Sequence, residues 1–206
     1  MSVQTPRPEV EWPSHFSEVP KDIFHRRDVY RAELENIFHG PEWHPLAHVA
    51  ELPNPGDFKS MYIGESPVLI VHGNDGRIRV FENACTHRGT QLKTAARGHT
   101  KEIECPYHRW LFSTTGKLLG CPGKNDFPEG FKPEKYPLHE LRSDSVFGLI
   151  FATYSGIVPA LRDYLGEATD YIGRVVGGDG RLKLIGYQKV NFSSNWKAYA
   201  DNEGYH

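Results

Sequence analysis

The sequence predicts a mostly β domain of antiparallel sheets, preceded by a helical arm and followed by the start of an α+β unit. Helical apolar spacing occurs only towards the two ends, while short apolar runs cut by turn residues fill the middle. The 206 residues, 38% apolar and 24% charged, suffice for one ordinary folding unit or two small ones.

Residues 1–40 form the arm. Pro6, Pro8, Pro13 and Pro20 keep its first half extended. Ile23, Phe24, Tyr30, Leu34, Ile37 and Phe38 then recur at helical spacing, and Gly40-Pro41 stops the helix. The β section spans 41–155. Pro67–Val71 and Arg77–Phe81 flank His72-Gly73-Asn74-Asp75-Gly76, a hairpin signal. Ile103–Cys105, Trp110–Phe112 and Leu118-Leu119 read as further strands, and Val146–Thr153 reads as one buried strand closing the section. Residues 156–206 open the α+β unit. Pro159 suits a first helical turn, with Leu161, Leu165, Ala168, Ile172 and Val175 or Val176 following at helical spacing up to Gly177-Gly178-Asp179-Gly180. Leu182–Phe192 reads as a strand, and Ser193 or Ser194 as the cap of a helix starting at Asn195.

Composition removes several function classes. Lys and Arg number 24 against 26 Asp and Glu, which provides no basic field for a nucleic-acid backbone. No run approaches the roughly 20 apolar residues of a membrane span. Met1–Val10 has no apolar secretory core, so a cytoplasmic setting is expected. Three cysteines cannot build a disulfide scaffold, and 11 histidines beside them direct attention to mixed Cys/His metal sites.

Such a site is written in Cys85-Thr86-His87 and, after 17 residues, Cys105-Pro106-Tyr107-His108. Two thiolates and two imidazoles can hold one tetrahedral zinc, or a [2Fe-2S] cluster with both Cys on one iron and both His on the other. Zinc modules mostly group like ligands. Here each loop carries one of each kind, which suits a binuclear cluster because each loop reaches both irons.

Cys85-Thr86-His87-Arg88-Gly89 and Cys105-Pro106-Tyr107-His108-Arg109-Trp110 closely resemble the cluster loops of Rieske proteins. In particular they resemble the α subunits of Rieske-type non-haem iron ring-hydroxylating oxygenases. The resemblance implies a Rieske fold for 41–155, with Cys85, His87, Cys105 and His108 as cluster ligands and Trp110 as a cover. That family usually has Gly where Arg109 stands. High-potential Rieske proteins carry an extra disulfide-forming Cys in each loop; here Thr90 and Tyr107 take those places. The resemblance therefore implies a potential near the lower end of the Rieske range, about −150 mV. Cys121 reads as structural.

The final run, Asn195-Trp196-Lys197 through Tyr205-His206, resembles the opening of the catalytic domain in the same oxygenases. The resemblance makes His206 the first ligand of a mononuclear Fe(II). Glu203 becomes the acid that links this iron to a Rieske histidine of a neighbouring subunit; Asp201 is a weaker candidate for that role, and Asn202 a supporting group. Residues three apart share a helix face, so Glu203 and His206 can point into one pocket. A facial triad needs a second His and a carboxylate, both of which the family supplies downstream of His206. The expected activity is O2-dependent hydroxylation of an organic, aromatic substrate. Its partners would be a reductase or ferredoxin donor, a homotrimer, and in some members β subunits. A Rieske ferredoxin is the alternative, but it would need neither the arm nor the Asn-Trp-Lys helix. A zinc-binding interaction module is the third reading.

Overall fold

In the computed structural model, residues 8–15, 17–123, 127, 129–176 and 182–203 are described, with side chains as far as 200. The helical part of the arm divides in two, α1 (Asp22–His25) and α2 (Arg27–Glu33), because Arg26 adopts an extended backbone between them. A π turn, Leu34–Phe38, continues α2.

Ten antiparallel strands follow: β1 (His44–His48), β2 (Asp57–Ile63), β3 (Ser66–His72), β4 (Ile78–Glu82), β5 (Arg97–His99), β6 (Glu102–Glu104), β7 (Leu111–Ser113), β8 (Leu118–Gly120), β9 (Glu140–Val146) and β10 (Leu149–Thr153). Seven of them form one sheet in the order β1-β10-β9-β4-β3-β2-β5, and β6-β7-β8 form a second. The unbroken apolar run in β3 has a structural reason. Leu69 and Val71 face one core, shared with Cys85, Cys105 and Trp110, while Val68 and Ile70 face another on the opposite side. Successive strand side chains alternate between faces, so a strand covered on both sides must be apolar throughout.

Val146–Thr153 is a hairpin tip and not one strand. Phe147 and Gly148 sit at φ 48° and 82°, forming a two-residue turn between β9 and β10 whose twist matches the strands. A phenylalanine in that left-handed position hides the turn from the sequence, because Asn or Gly is the usual signal. The expected helix after Pro159 is likewise two, α3 (Leu161–Leu165) and α4 (Ala168–Val175), separated by Gly166 at φ 51°. Gly177–Gly180 lie outside the described residues.

Residues 182–192, expected as a strand, form no regular secondary structure and pair with no strand among the described residues. They are moored through Tyr187, whose hydroxyl donates to Glu51 at 2.8 Å beneath the Arg97 guanidinium. The last helix, α5 (Trp196–Glu203), is capped by Asn195 and not by a serine: Asn195 Oδ1 accepts the Lys197 N–H at 3.1 Å. No helix among the described residues is long and apolar enough to cross a membrane.

Trp43 joins β10 to the segment before α3. It packs with Val146, Phe151, Val158 and Leu161 and donates Nε1–H to the Pro159 carbonyl at 3.1 Å. Trp43→Ala is expected to cost about 3–5 kcal/mol, read as a lower midpoint in urea unfolding with an unchanged slope.

Candidate metal centre

Two loops carry the Cys/His motifs. The first connects β4 to β5 and the second connects β6 to β7, so strands from both sheets fix their ends. Their backbones repeat one turn. The Gly89 N–H donates to the Cys85 carbonyl at 2.8 Å, and the Arg109 N–H to the Cys105 carbonyl at 3.0 Å. The Cys85 N–H donates to Thr90 O and the Cys105 N–H to Trp110 O, both at 2.8 Å. In each loop the fourth residue after the cysteine is left-handed, Gly89 at φ 74° and Arg109 at φ 57°. Arg109 therefore keeps the conformation that glycine would supply. Its Nε donates to Glu104 at 2.8 Å across an exposed ion pair.

This shared turn buries the two cysteines and brings the two histidines together nearer the surface. Cys85 and Cys105 are 3% and 1% exposed, and both are free thiols. Burial pushes the Cys85 thiol up, as does the Cys105 thiol beside it, while the backbone N–H groups of His87 and Arg88 aimed at its sulfur pull the other way. The rings of His87 and His108 lie 4.9 Å apart. Burial, with His108 and Arg88 nearby, lowers the His87 pKa and so favours the neutral imidazole that ligates metals. His87 stacks on Trp110 at 4.7 Å with the planes 4° apart, and Tyr107 leans on His108 at 3.8 Å. The Trp110 indole is enclosed by Phe127, Phe131 and Tyr136 from the β8–β9 connection. A cleft of about 420 Å3 opens beside His87, bounded by Trp110, Glu129, Phe131 and Tyr136.

Donor chemistry separates the two metal readings. A tetrahedral zinc would draw two thiolates and two imidazoles to a single point. The donors come instead as a buried thiol pair and a half-buried imidazole pair, the set that a [2Fe-2S] cluster with unlike irons takes. The residues fit that group.

Two further residues support the first loop. Asn83 is fully buried. Its Oδ1 accepts from the Leu92 and Lys93 N–H groups at 3.2 and 2.9 Å, and its Nδ2 donates to Lys93 O at 2.7 Å, closing the first loop across its base. The Thr86 hydroxyl donates to Tyr136 O at 3.1 Å, tying that loop to the aromatic cover. Thr86 stands within the first motif, whereas Asn83, just after β4, carries no signal in the sequence. Cys121 packs against the cluster-side core. Of the second site, Asp201, Asn202 and Glu203 lie on α5 with side chains outside the described set, and His206 lies outside the described residues.

Residues 42–137 match the Rieske [2Fe-2S] domain family, and fold, donor set and match together identify the cluster module as a Rieske domain. Likeness extends well past that module. The chain is 40% identical over 193 residues to the anthranilate 1,2-dioxygenase large subunit of Burkholderia cepacia, spanning 90% of this chain and 45% of that protein. It is 37% identical over 204 residues to the large oxygenase component of salicylate 5-hydroxylase of Ralstonia sp, 93% of this chain and 48% of that protein. Its fold overlays naphthalene 1,2-dioxygenase from Rhodococcus sp. with a TM-score of 0.82 at 36% identity, covering 87% of this chain and 42% of the other. Beyond its Rieske domain, the chain is homologous to ring-hydroxylating dioxygenase large (α) subunits, and it spans less than half the length of these relatives, at their N-terminal end.

Left-handed backbone costs a non-glycine residue about 1–2 kcal/mol, and an exposed ion pair contributes about 0–1 kcal/mol. Arg109→Ala loses the ion pair and keeps the strain; Arg109→Gly loses both. Arg109→Gly is therefore expected to be the more stable of the two by about 1 kcal/mol, measured by thermal unfolding. The reverse order would contradict the assigned turn.

Proposed function

We propose that this chain is the N-terminal part of a terminal oxygenase component that takes electrons from a reductase or ferredoxin and uses O2 to hydroxylate an aromatic substrate. Carrying this reading is one observation: the paired thiols and paired imidazoles stand in a chain whose likeness to oxygenase large subunits runs through both flanks of the Rieske module. A ferredoxin would need neither flank. Cys85, His87, Cys105 and His108 are the residues to hold the cluster. The arm (1–40), the cluster domain (41–155) and the opening of the catalytic domain (156–206) are the corresponding divisions. On the last of these, His206 would ligate a mononuclear Fe(II) together with groups from further along the chain. Glu203 would link it to a histidine of a neighbouring subunit in a trimer, with Asp201 the weaker candidate and Asn202 in support.

When bound, the cluster supplies one-electron transfer and the mononuclear iron supplies O2 activation. This chain's own residues set the terms. The thiols lie in the core and the imidazoles nearer the surface, so a bound cluster would exchange electrons on the histidine side. The Trp110 stack fixes the plane of His87, and the Phe127, Phe131 and Tyr136 rings keep water from the indole. The His87 and Arg88 N–H groups stabilise negative charge on the Cys85 sulfur. The names of the relatives, acting on anthranilate and salicylate, favour an aromatic acid as substrate. A cytoplasmic setting is part of the same reading.

Two experiments test this. The native gene product, reduced through a ferredoxin–reductase pair, should place an atom of labelled oxygen from 18O2 into anthranilate or salicylate. A cluster that cycles between redox states and yields no hydroxylated product from aromatic acids would favour the electron carrier. Cys105→Ala is expected to abolish the visible chromophore and the reduced-state EPR signal, since ligation is coupled to the fold of the loop; retention of either would contradict the ligand assignment.

A further inference from the structure

The two cluster loops share a turn but are closed beneath it in different ways. Below Cys105 and Trp110 in the second loop, Glu104 pairs with Leu111 and Ile103 with Phe112 in the β6–β7 ladder. That loop leaves and re-enters a single pair of neighbouring strands. The first loop has no such base. It leaves β4 and returns to β5, and in the sheet β3 and β2 lie between these two. No backbone ladder can therefore close it. At the places that match Ile103 and Phe112, two residues outside Cys85 and Thr90, stand Asn83 and Leu92.

The Asn83 side chain spans this gap. It is fully buried. Its Oδ1 accepts the Leu92 and Lys93 N–H groups at 3.2 and 2.9 Å, and its Nδ2 donates to Lys93 O at 2.7 Å. A carboxamide carries the acceptor and the donors of a peptide group, so it satisfies buried backbone groups that a neighbouring strand would otherwise pair. The clamp is itself tied to the two intervening strands. The Asn83 N–H donates to Pro67 O on β3 at 2.9 Å, and Lys93 O also takes the Ser60 hydroxyl of β2 at 3.3 Å. Leu92, held in this way, packs in the same core as Cys85 and Cys105.

One cluster can be shared by both loops only if Cys85 and His87 stand at a fixed place relative to Cys105 and His108. The ladder settles the second pair. We propose that Asn83 is a positioning residue for the [2Fe-2S] cluster: its three side-chain bonds do for the first loop what the β6–β7 ladder does for the second. This rests on the ligand assignment above. It acts through the base of the loop, and its effect reaches the cluster as a change in where Cys85 and His87 are held.

The test uses the native gene product with Asn83→Leu, Asn83→Asp and, as a control, Ile70→Ala. Asn83→Leu keeps the volume and removes all three side-chain bonds. Asn83→Asp keeps the oxygen that accepts from Leu92 and Lys93. Ile70→Ala loosens the core on the opposite side of β3, away from the cysteines. Expected for Asn83→Leu are altered g values in the reduced-state EPR spectrum and iron release to a chelator faster by about ten-fold or more, or no cluster uptake at all. Asn83→Asp should return the g values and the release rate towards wild type. Ile70→Ala should leave both at wild type while lowering the urea midpoint, which separates positioning from general loss of stability. Asn83→Leu with wild-type g values and release, Asn83→Asp no better than Asn83→Leu, or Ile70→Ala with the same losses would each overturn the proposal and leave the ligand assignment standing. A wild-type protein without the Rieske EPR signal overturns that assignment, and this positioning role with it.

Discussion

Two thiols must meet in the core while two imidazoles meet near the surface, and most of the domain serves that constraint. Unpaired thiolates in an apolar interior are unstable, and burial duly pushes Cys85 towards its neutral form. A group that binds both sulfurs removes the penalty, provided the backbone has already brought them together. The repeated turn does this twice, once from each sheet, with the same pair of hydrogen bonds per loop. Strands β4 to β7 hold the loop ends, Asn83 closes the base of the first loop, and Trp110 fixes one histidine ring.

Spacing pointed to a mixed Cys/His metal site, and the resemblance to Rieske loops favoured the cluster over zinc. C-x-H and C-x-x-H, each followed by a residue suited to a left-handed turn or standing in for one, imply two loops of like shape. The hairpin around Asn74–Gly76 and the short strands β6 to β8 were legible for a similar reason, because turn residues mark them. Other elements were hidden by substitutions of the expected signal. Phe147 occupies a turn position where Asn or Gly would announce a hairpin, so β9 and β10 read as one strand. Arg26 breaks the arm helix without a proline or glycine. β1, β2 and β5 pass unnoticed because their apolar faces are short or interrupted, and pairing in the seven-stranded sheet is what makes them strands.

Contacts between distant parts of the chain were the least legible. Glu33 looks like any solvated helix acid in the sequence, since its partners, Trp196 and Lys197, lie more than 160 residues away. Tyr187 and Glu51 meet in the same unannounced way. Residues 182–192 expose Leu184, Ile185 and Val190; their apolar pattern reads as a strand, yet no strand pairing fixes them among the described residues.

Division of the donors into a sulfur pair and a nitrogen pair is the central claim, and Mössbauer spectroscopy of the 57Fe-enriched protein tests it most directly. The account predicts two iron environments in equal amounts, one with sulfur ligands only and one with nitrogen as well, resolved into distinct ferric and ferrous sites on one-electron reduction. Two indistinguishable all-sulfur irons, or an iron-free protein holding one tetrahedral zinc, would contradict it.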